Sequence, residues 1–67
     1  MENRVIDRLM QLTTHSSPEV RSAAATAFGE AGVKSNRIID VLLDLTEDNS
    51  TTVRAAAAIA LGKVSKT

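Results

Sequence analysis

The stretch SPEVRSAAATAFG at residues 17–29 is followed, 33 positions later, by STTVRAAAAIALG at residues 50–62. The same offset aligns NRVIDRLMQL, which begins at Asn3, with NRIIDVLLDL, which begins at Asn36. Of the 34 residue pairs that this offset aligns, 15 are identical. The chain is therefore a tandem repeat, and a fixed period of this length is typical of proteins built from stacked helical units.

The period predicts one domain, residues 1–67, made of a first unit at about 1–33 and a second unit at about 34–67. A chain of this length can bury only a modest core. Eight basic and eight acidic residues give zero net charge, which disfavours nucleic acid as a partner. Cysteine is absent, and no apolar run approaches the roughly 20 residues that span a bilayer. We therefore expect a soluble cytoplasmic protein with no membrane partner.

Each unit is predicted to form two helices, because apolar residues recur at spacings of three and four and no strand-like alternation occurs. The helices are expected near residues 3–14, 18–31, 36–47 and 51–64. Ser17 is expected to cap the second of them with its hydroxyl oxygen. The predicted fold class is all-α, an α-solenoid of two helix-turn-helix repeats with four antiparallel helices.

Glycines mark two kinds of position in the second helix of each unit. Gly29 and Gly62 lie inside helices, where glycine is about 1 kcal/mol less favourable than alanine, so both predict close passage of a neighbouring helix. Gly32 is expected to end its helix in the left-handed conformation. The core stripe of helix 18–31 is predicted to comprise Val20, Ala23, Ala24, Ala27, Phe28 and Ala31.

The pattern [S/D]-x-x-V-R-x-A-A-A-x-A-[FL]-G occurs once in each unit. It resembles the short HEAT-like repeats of bilin-lyase-type HEAT proteins and of many prokaryotic scaffold proteins, and the resemblance covers essentially the whole chain. The ankyrin signature and the aromatic residues of tetratricopeptide repeats are absent. The resemblance implies that Arg21 and Arg54 pair with acidic residues at the turns between helices. Glu47 and Asp48 are the candidates for Arg54, and Arg21 would take its partner from the second unit.

No catalytic constellation can be assembled from the sequence. His15 is the single histidine and lies in a polar turn, and no cysteine stands at ligand spacing to it. The serines and threonines have no partner base, and no glycine-rich phosphate loop is present. We therefore predict a protein that is not an enzyme and has no catalytic residue, metal or cofactor. The acidic run Asp40, Asp44, Glu47 and Asp48 is interpreted as a solvated face, with a patch for a basic partner as the alternative.

In solenoids of the HEAT-like kind the second helices line the concave surface where partners bind. The resemblance therefore predicts partner contacts at the variable positions of these helices, which are Ser22, Thr26, Glu30, Ala55, Ile59 and Lys63. Ile59 differs most from its counterpart, Thr26. We expect Ile59 to pack on a following repeat or on a second copy of the chain, with a ligand-binding anchor as the alternative.

Helical repeats normally need about three units to be stable, and this sequence contains two. The chain is thus expected to pack against further HEAT-like repeats or to form a homodimer, closed by two-fold symmetry, through small residues of the last helix. The leading functional hypothesis is a non-catalytic scaffold that binds a partner protein, and it includes a fragment of a longer array. The alternatives are an accessory subunit of a bilin-lyase-like enzyme and, with less support, a nucleic-acid-binding protein.

Overall fold

Four helices form two consecutive helix pairs in the computed structural model, which describes residues 1–65. No strand occurs in this part of the chain, and the predicted all-α helical repeat fold is confirmed. The last two residues of the second predicted unit lie outside the described range. The helices are α1 (Asn3–Leu12), α2 (Pro18–Ala31), α3 (Asn36–Leu45) and α4 (Thr51–Val64).

The first helix of each pair ends two residues earlier than the sequence predicted. A threonine stops each helix at equivalent places. Thr13 donates its hydroxyl to the carbonyl oxygen of Met10 at 2.6 Å, and Thr46 does the same to that of Leu43 at 2.6 Å. A hydroxyl that bonds to the carbonyl three residues back satisfies a group left free at the helix end.

The second helices begin and end as expected. The hydroxyl oxygen of Ser17 accepts from the backbone N–H of Val20 at 3.4 Å, and Ser50 caps α4 through Val53 at the same distance. Gly32 follows α2 with a φ of 65°, in the left-handed region that glycine adopts without steric cost. These signals fix where each second helix lies along the chain.

The core lies between the two pairs, and α2 contacts each of the other three helices. Its buried members are Ala25, Phe28, Ile38, Leu42, Leu45, Val53, Ala57, Ala60 and Val64. The predicted stripe on α2 is correct at Ala24 and Phe28 but wrong at Ala23 and Ala31, which are exposed. The prediction also missed Ala25, which is fully buried. The reason is that α2 packs on two sides, against α1 and α3 and also against α4, so no single stripe describes it.

The contact between α2 and α4 joins the two units and is the most extensive helix contact in the fold. It is also the tightest at Gly29, where an added Cβ would lie 2.8 Å from Cα and 2.9 Å from Cβ of Ala60. The predicted close passage is therefore present at Gly29. The same prediction is wrong for Gly62 among the described residues, because nothing lies within 4 Å of the corresponding Cβ position.

Candidate partner-binding groove

A groove of about 140 Å³ runs between α2 and α4 on the outer side of their contact. Four of the six predicted partner-binding residues line it, and three small residues outside that prediction complete the lining. The predicted ones are Thr26, Glu30, Ile59 and Lys63, and the small ones are Gly29, Ala56 and Ala60. The structure thus brings together residues from equivalent positions of both units.

The small residues give the groove its shape. Because Gly29 has no side chain, the backbones of α2 and α4 approach closely at Ala60, and larger neighbours then form the walls. Ala56 lies one helical turn before Ala60, on the same face of α4. Gly29, Ala56 and Ala60 thus form the floor of the groove. The sequence held a signal for this floor, since a glycine in one second helix and alanines four residues apart in the next are suited to close helix packing.

Ile59 is the most exposed large hydrophobic residue of the described chain, with 62% of its surface accessible. Its counterpart Thr26 is also exposed, although a following unit packs on the unit that contains it. A following repeat therefore does not cover this position of a unit. The geometry disfavours the expectation that Ile59 packs on a following repeat, and it leaves the side chain free to contact something in the groove.

An ion pair between Lys63 and Glu30 lies on one side of the groove. The two residues occupy equivalent positions of the two units, and their side chains are 50% and 62% exposed. Exposed ion pairs stabilise a fold by little, typically below about 1 kcal/mol. The pair therefore matters more as a polar edge beside an apolar floor than as a source of stability.

The remaining two predicted residues lie outside the groove. Ser22 is half-buried on α2, and its hydroxyl oxygen is buried without a hydrogen-bond partner in the described chain. Ala55 is exposed on α4 but does not line the groove. The structure therefore does not group these two positions with the other four.

A second feature, on the side of the turns between helices, connects the two units through Arg21. Its Nε donates to Oδ2 of Asp48 at 2.9 Å and its Nη2 donates to Oδ1 at 3.1 Å. Its Nη1 also donates to the carbonyl oxygen of His15 at 2.7 Å. The partner of Arg21 thus comes from the second unit, as the sequence predicted. The side chains of the pair are only 15% and 12% exposed, and two parallel bonds of this kind fix geometry well.

Arg54, the counterpart of Arg21, makes hydrogen bonds only to residues of its own unit. Its Nη1 donates to the backbone carbonyl oxygen of Asp48 at 2.6 Å, and its Nη2 approaches the Thr51 hydroxyl oxygen at 3.4 Å. The prediction that Arg54 pairs with the carboxylate of Glu47 or Asp48 is therefore wrong. The carboxylate of Asp48 is already bonded to Arg21 and to the backbone N–H of Ser50.

These bonds lower the pKa of Asp48 below its ordinary value, first through Arg21 and then through the Ser50 backbone N–H. A lowered pKa in the folded state means that the ionised carboxylate stabilises the fold at any pH above its unfolded value, which is about 3.9. This contribution is lost as the pH falls from about 5 through 4 towards the folded pKa.

Asp48→Asn is therefore expected to lower the melting temperature at pH 7, and this difference from the wild type should shrink as the pH falls below about 4 towards the lowered pKa of the folded carboxylate. Thermal melts between pH 3 and 7 measure the difference. Asp44→Asn, at an exposed position of α3, is the control and should melt as the wild type does at pH 7. A wild-type-to-variant difference that stays constant across this range would contradict the assignment.

Two further features of residues 1–65 concern ligands and membranes. No group of three or more histidine, cysteine, aspartate or glutamate residues in this range is placed to hold a metal ion. None of the helices in the same range has the length and apolar character that crossing a bilayer requires.

The paired helices, the repeated capping and the tight contact between second helices define a helical repeat protein. The family model for HEAT repeats matches residues 5–67. The chain therefore belongs to the HEAT repeat family, which is generally a family of non-catalytic scaffolds. Neither the curated proteins nor the solved structures contain a significant match to the chain.

Proposed function

We propose that the chain is a non-catalytic protein-interaction module, and that the groove between α2 and α4 receives an apolar side chain from a partner protein. The observation that carries this proposal is the exposure of Ile59 beside a floor of small residues. Leaving a large aliphatic side chain in water gives up roughly 1.5–3 kcal/mol that burial against a partner would recover. The Ile59 position is one that neighbouring repeats leave uncovered, so an outside partner is the occupant that fits.

The groove has the size to receive one side chain of a partner rather than a whole cofactor. At about 140 Å³ it is smaller than the roughly 300–1,000 Å³ typical of small-molecule sites. An apolar residue could lie on Ala56 and Ala60, while the backbone or a polar neighbour contacts Thr26. The Glu30–Lys63 pair offers both signs of charge at the edge, which suits a peptide with polar flanks better than a uniformly charged partner.

The groove is tested with a displayed library of short peptides selected on the wild-type protein and then measured on two variants. Ile59→Thr gives the second unit the residue found in the first, at an exposed position that the fold tolerates. It is expected to weaken a selected peptide roughly tenfold or more, as for the loss of one buried aliphatic anchor. Ala55→Ser, which changes α4 outside the groove to the residue at the equivalent position of α2, should bind as the wild type does.

Titration calorimetry gives the affinities, and amide chemical shifts show where the peptide binds. The proposal predicts shifts at Thr26, Ala56, Ile59 and Lys63 on peptide addition. Selected peptides that bind Ile59→Thr as tightly as the wild type would contradict the groove as the site. Reproducible turnover by the purified chain would contradict the proposal that it is non-catalytic. The cytoplasmic location stays a prediction from the sequence.

A further inference from the structure

The two ends of the molecule expose surfaces whose counterparts in the other unit are buried between units. At the N-terminal end, Val5 is 45% exposed and Leu9 is half-buried, beside a shallow apolar depression on α1. The residues one period later, Ile38 and Leu42, are fully buried in the core. The first unit therefore presents to solvent the face that the second unit uses to pack on its predecessor.

The C-terminal end shows the reverse relation. Ala25 and Gly29 of α2 are buried by packing of the second unit, and Gly29 lies against Ala60. Their counterparts on α4 are Ala58, which is exposed, and Gly62, which has open space around it. The second unit thus presents the face that the first unit uses to pack on its successor.

We propose that the C-terminal end of one molecule packs on the N-terminal end of a second copy of this chain, repeating the contact that joins its own two units. In this head-to-tail arrangement Gly62 takes the place of Gly29, and Ala27 of the second copy takes the place of Ala60. Val5 of the second copy takes the place of Ile38. The contact lies at the ends of the solenoid and shares only Glu30 and Lys63 with the lining of the groove, so the inference does not rest on the proposed function.

The charges at the two ends fit this arrangement at two of three positions. In the described part of the chain, three salt bridges join the units: Glu30–Lys63, Asp7–Arg37 and Arg21–Asp48. Shifting each pair by one period gives the pair expected between two copies. Glu30–Lys63 becomes Lys63 against Glu30 of the second copy, and Asp7–Arg37 becomes Asp40 against Arg4 of the second copy. Both pairs keep opposite charges. Complementary charges of this kind fix the register of an interface.

The third position carries a mismatch. Arg54 would face residue 15 of the second copy, where a histidine stands in place of the aspartate that binds Arg21. The histidine does retain the local role of Asp48. His15 Nδ1 accepts from the Ser17 backbone N–H at 2.9 Å, as Oδ1 of Asp48 accepts from that of Ser50 at 2.9 Å. The intermolecular contact should therefore be weaker than the internal one, so association depends on concentration.

Head-to-tail packing replaces the closed two-fold dimer that the sequence led us to expect. A two-fold contact through α4 would pair the C-terminal end with itself and leave Val5 and Leu9 uncovered. The head-to-tail contact covers the apolar surface of both ends at once. Since such a contact is between different surfaces, it propagates, and the mean mass should rise beyond that of a dimer as the protein concentration increases.

Two end-blocked variants test the arrangement by sedimentation equilibrium. Gly62→Arg blocks the C-terminal end at a position with open space around it, and Val5→Glu blocks the N-terminal end at an exposed position. Each variant alone should remain a monomer at concentrations where the wild type associates. An equimolar mixture should form a 1:1 dimer and nothing larger, because each variant supplies the end that the other lacks. Thermal melts at low concentration check that both variants are folded.

The alternatives give different results. In a two-fold dimer through α4, Val5→Glu would associate as the wild type does, and adding Gly62→Arg to it would produce no additional dimer. Either result would overturn head-to-tail packing. A wild-type chain that stays monomeric up to high micromolar concentration would overturn the second copy as occupant of the ends.

The register has its own test in His15→Asp, which restores at the intermolecular contact the pair that Arg21 makes with Asp48. This substitution is expected to tighten association roughly tenfold, the lower end of what close interfacial charge pairs contribute. His15→Asn is the matched control, since it keeps a hydrogen-bond acceptor for the Ser17 N–H without the charge, and it should leave association unchanged. Equal association of the wild type and both variants would overturn the proposed register.

Discussion

Phe28→Ala is expected to unfold the chain near room temperature. Phe28 is the only aromatic residue of the sequence and is fully buried in the core between the two helix pairs. Truncating a buried phenylalanine to alanine typically costs about 3–5 kcal/mol. A domain of this size has a free energy of unfolding of only a few kcal/mol, so little or none would remain. Circular dichroism during thermal and urea unfolding measures the loss.

Two further variants serve as controls for Phe28→Ala. Phe28→Leu, which installs the residue found at the equivalent Leu61, should cost clearly less than Phe28→Ala because it removes less buried volume, and it should keep the chain folded. Leu43→Ala removes a large side chain that is 51% exposed and should change the free energy of unfolding by about 0.5 kcal/mol at most. If Phe28→Ala melted as the wild type does, the phase of α2 in the core would be wrong.

The same substitution at the two equivalent helix glycines should have opposite effects. Gly29→Ala would place a Cβ 2.8 Å from the backbone of Ala60, so α2 and α4 must move apart, at a cost of about 1–3 kcal/mol. Gly62→Ala adds a Cβ where nothing lies within 4 Å, and it should stabilise α4 by about 0.5–1 kcal/mol through helix propensity alone.

Urea unfolding at low micromolar protein concentration measures both free energies without contributions from association. The local sequences around the two glycines are nearly the same, so helix propensity cannot explain a difference in sign. Only the packing of α4 on α2 distinguishes the positions. Stabilisation by both substitutions would show that the second unit does not pack at Gly29.

The sequence was sufficient for the architecture because the repeat and the capping residues act locally. Ser17 caps α2 and Gly32 ends it through interactions within a few residues, and both are where they were predicted. The ends of α1 and α3 were missed because a threonine hydroxyl competes for the last carbonyl groups, as at Thr13. Helix periodicity does not reveal that competition.

The phase of α2 could not be predicted in full for a different reason. Alanines lie on nearly every side of this helix, so the sequence does not say which of them face the core. Ala25 is buried and Ala23 exposed only because α4 covers one side of α2. Gly29 and Gly62 likewise have similar sequence contexts, and the packing of a following unit makes Gly29 buried while Gly62 stays open.

The groove was predicted in part because variable positions of second helices can be read from the repeat alignment. That alignment identified Thr26 and Ile59, which do line the groove. It could not exclude Ser22, which is half-buried on α2 outside the groove, because the alignment does not show where α4 crosses α2. The variable positions also do not include Ala60 of the floor, because Ala60 is identical to its counterpart Ala27.

The two units stack through Gly29 against Ala60, and this contact forms the groove. A nuclear Overhauser measurement on isotope-labelled protein at low concentration detects this stacking contact. We expect a strong contact between the α protons of Gly29 and the Ala60 methyl group, and none between Gly62 and Ala27 under conditions where the chain is monomeric. A spectrum of the folded chain without the Gly29–Ala60 contact would contradict the stacking and with it the groove.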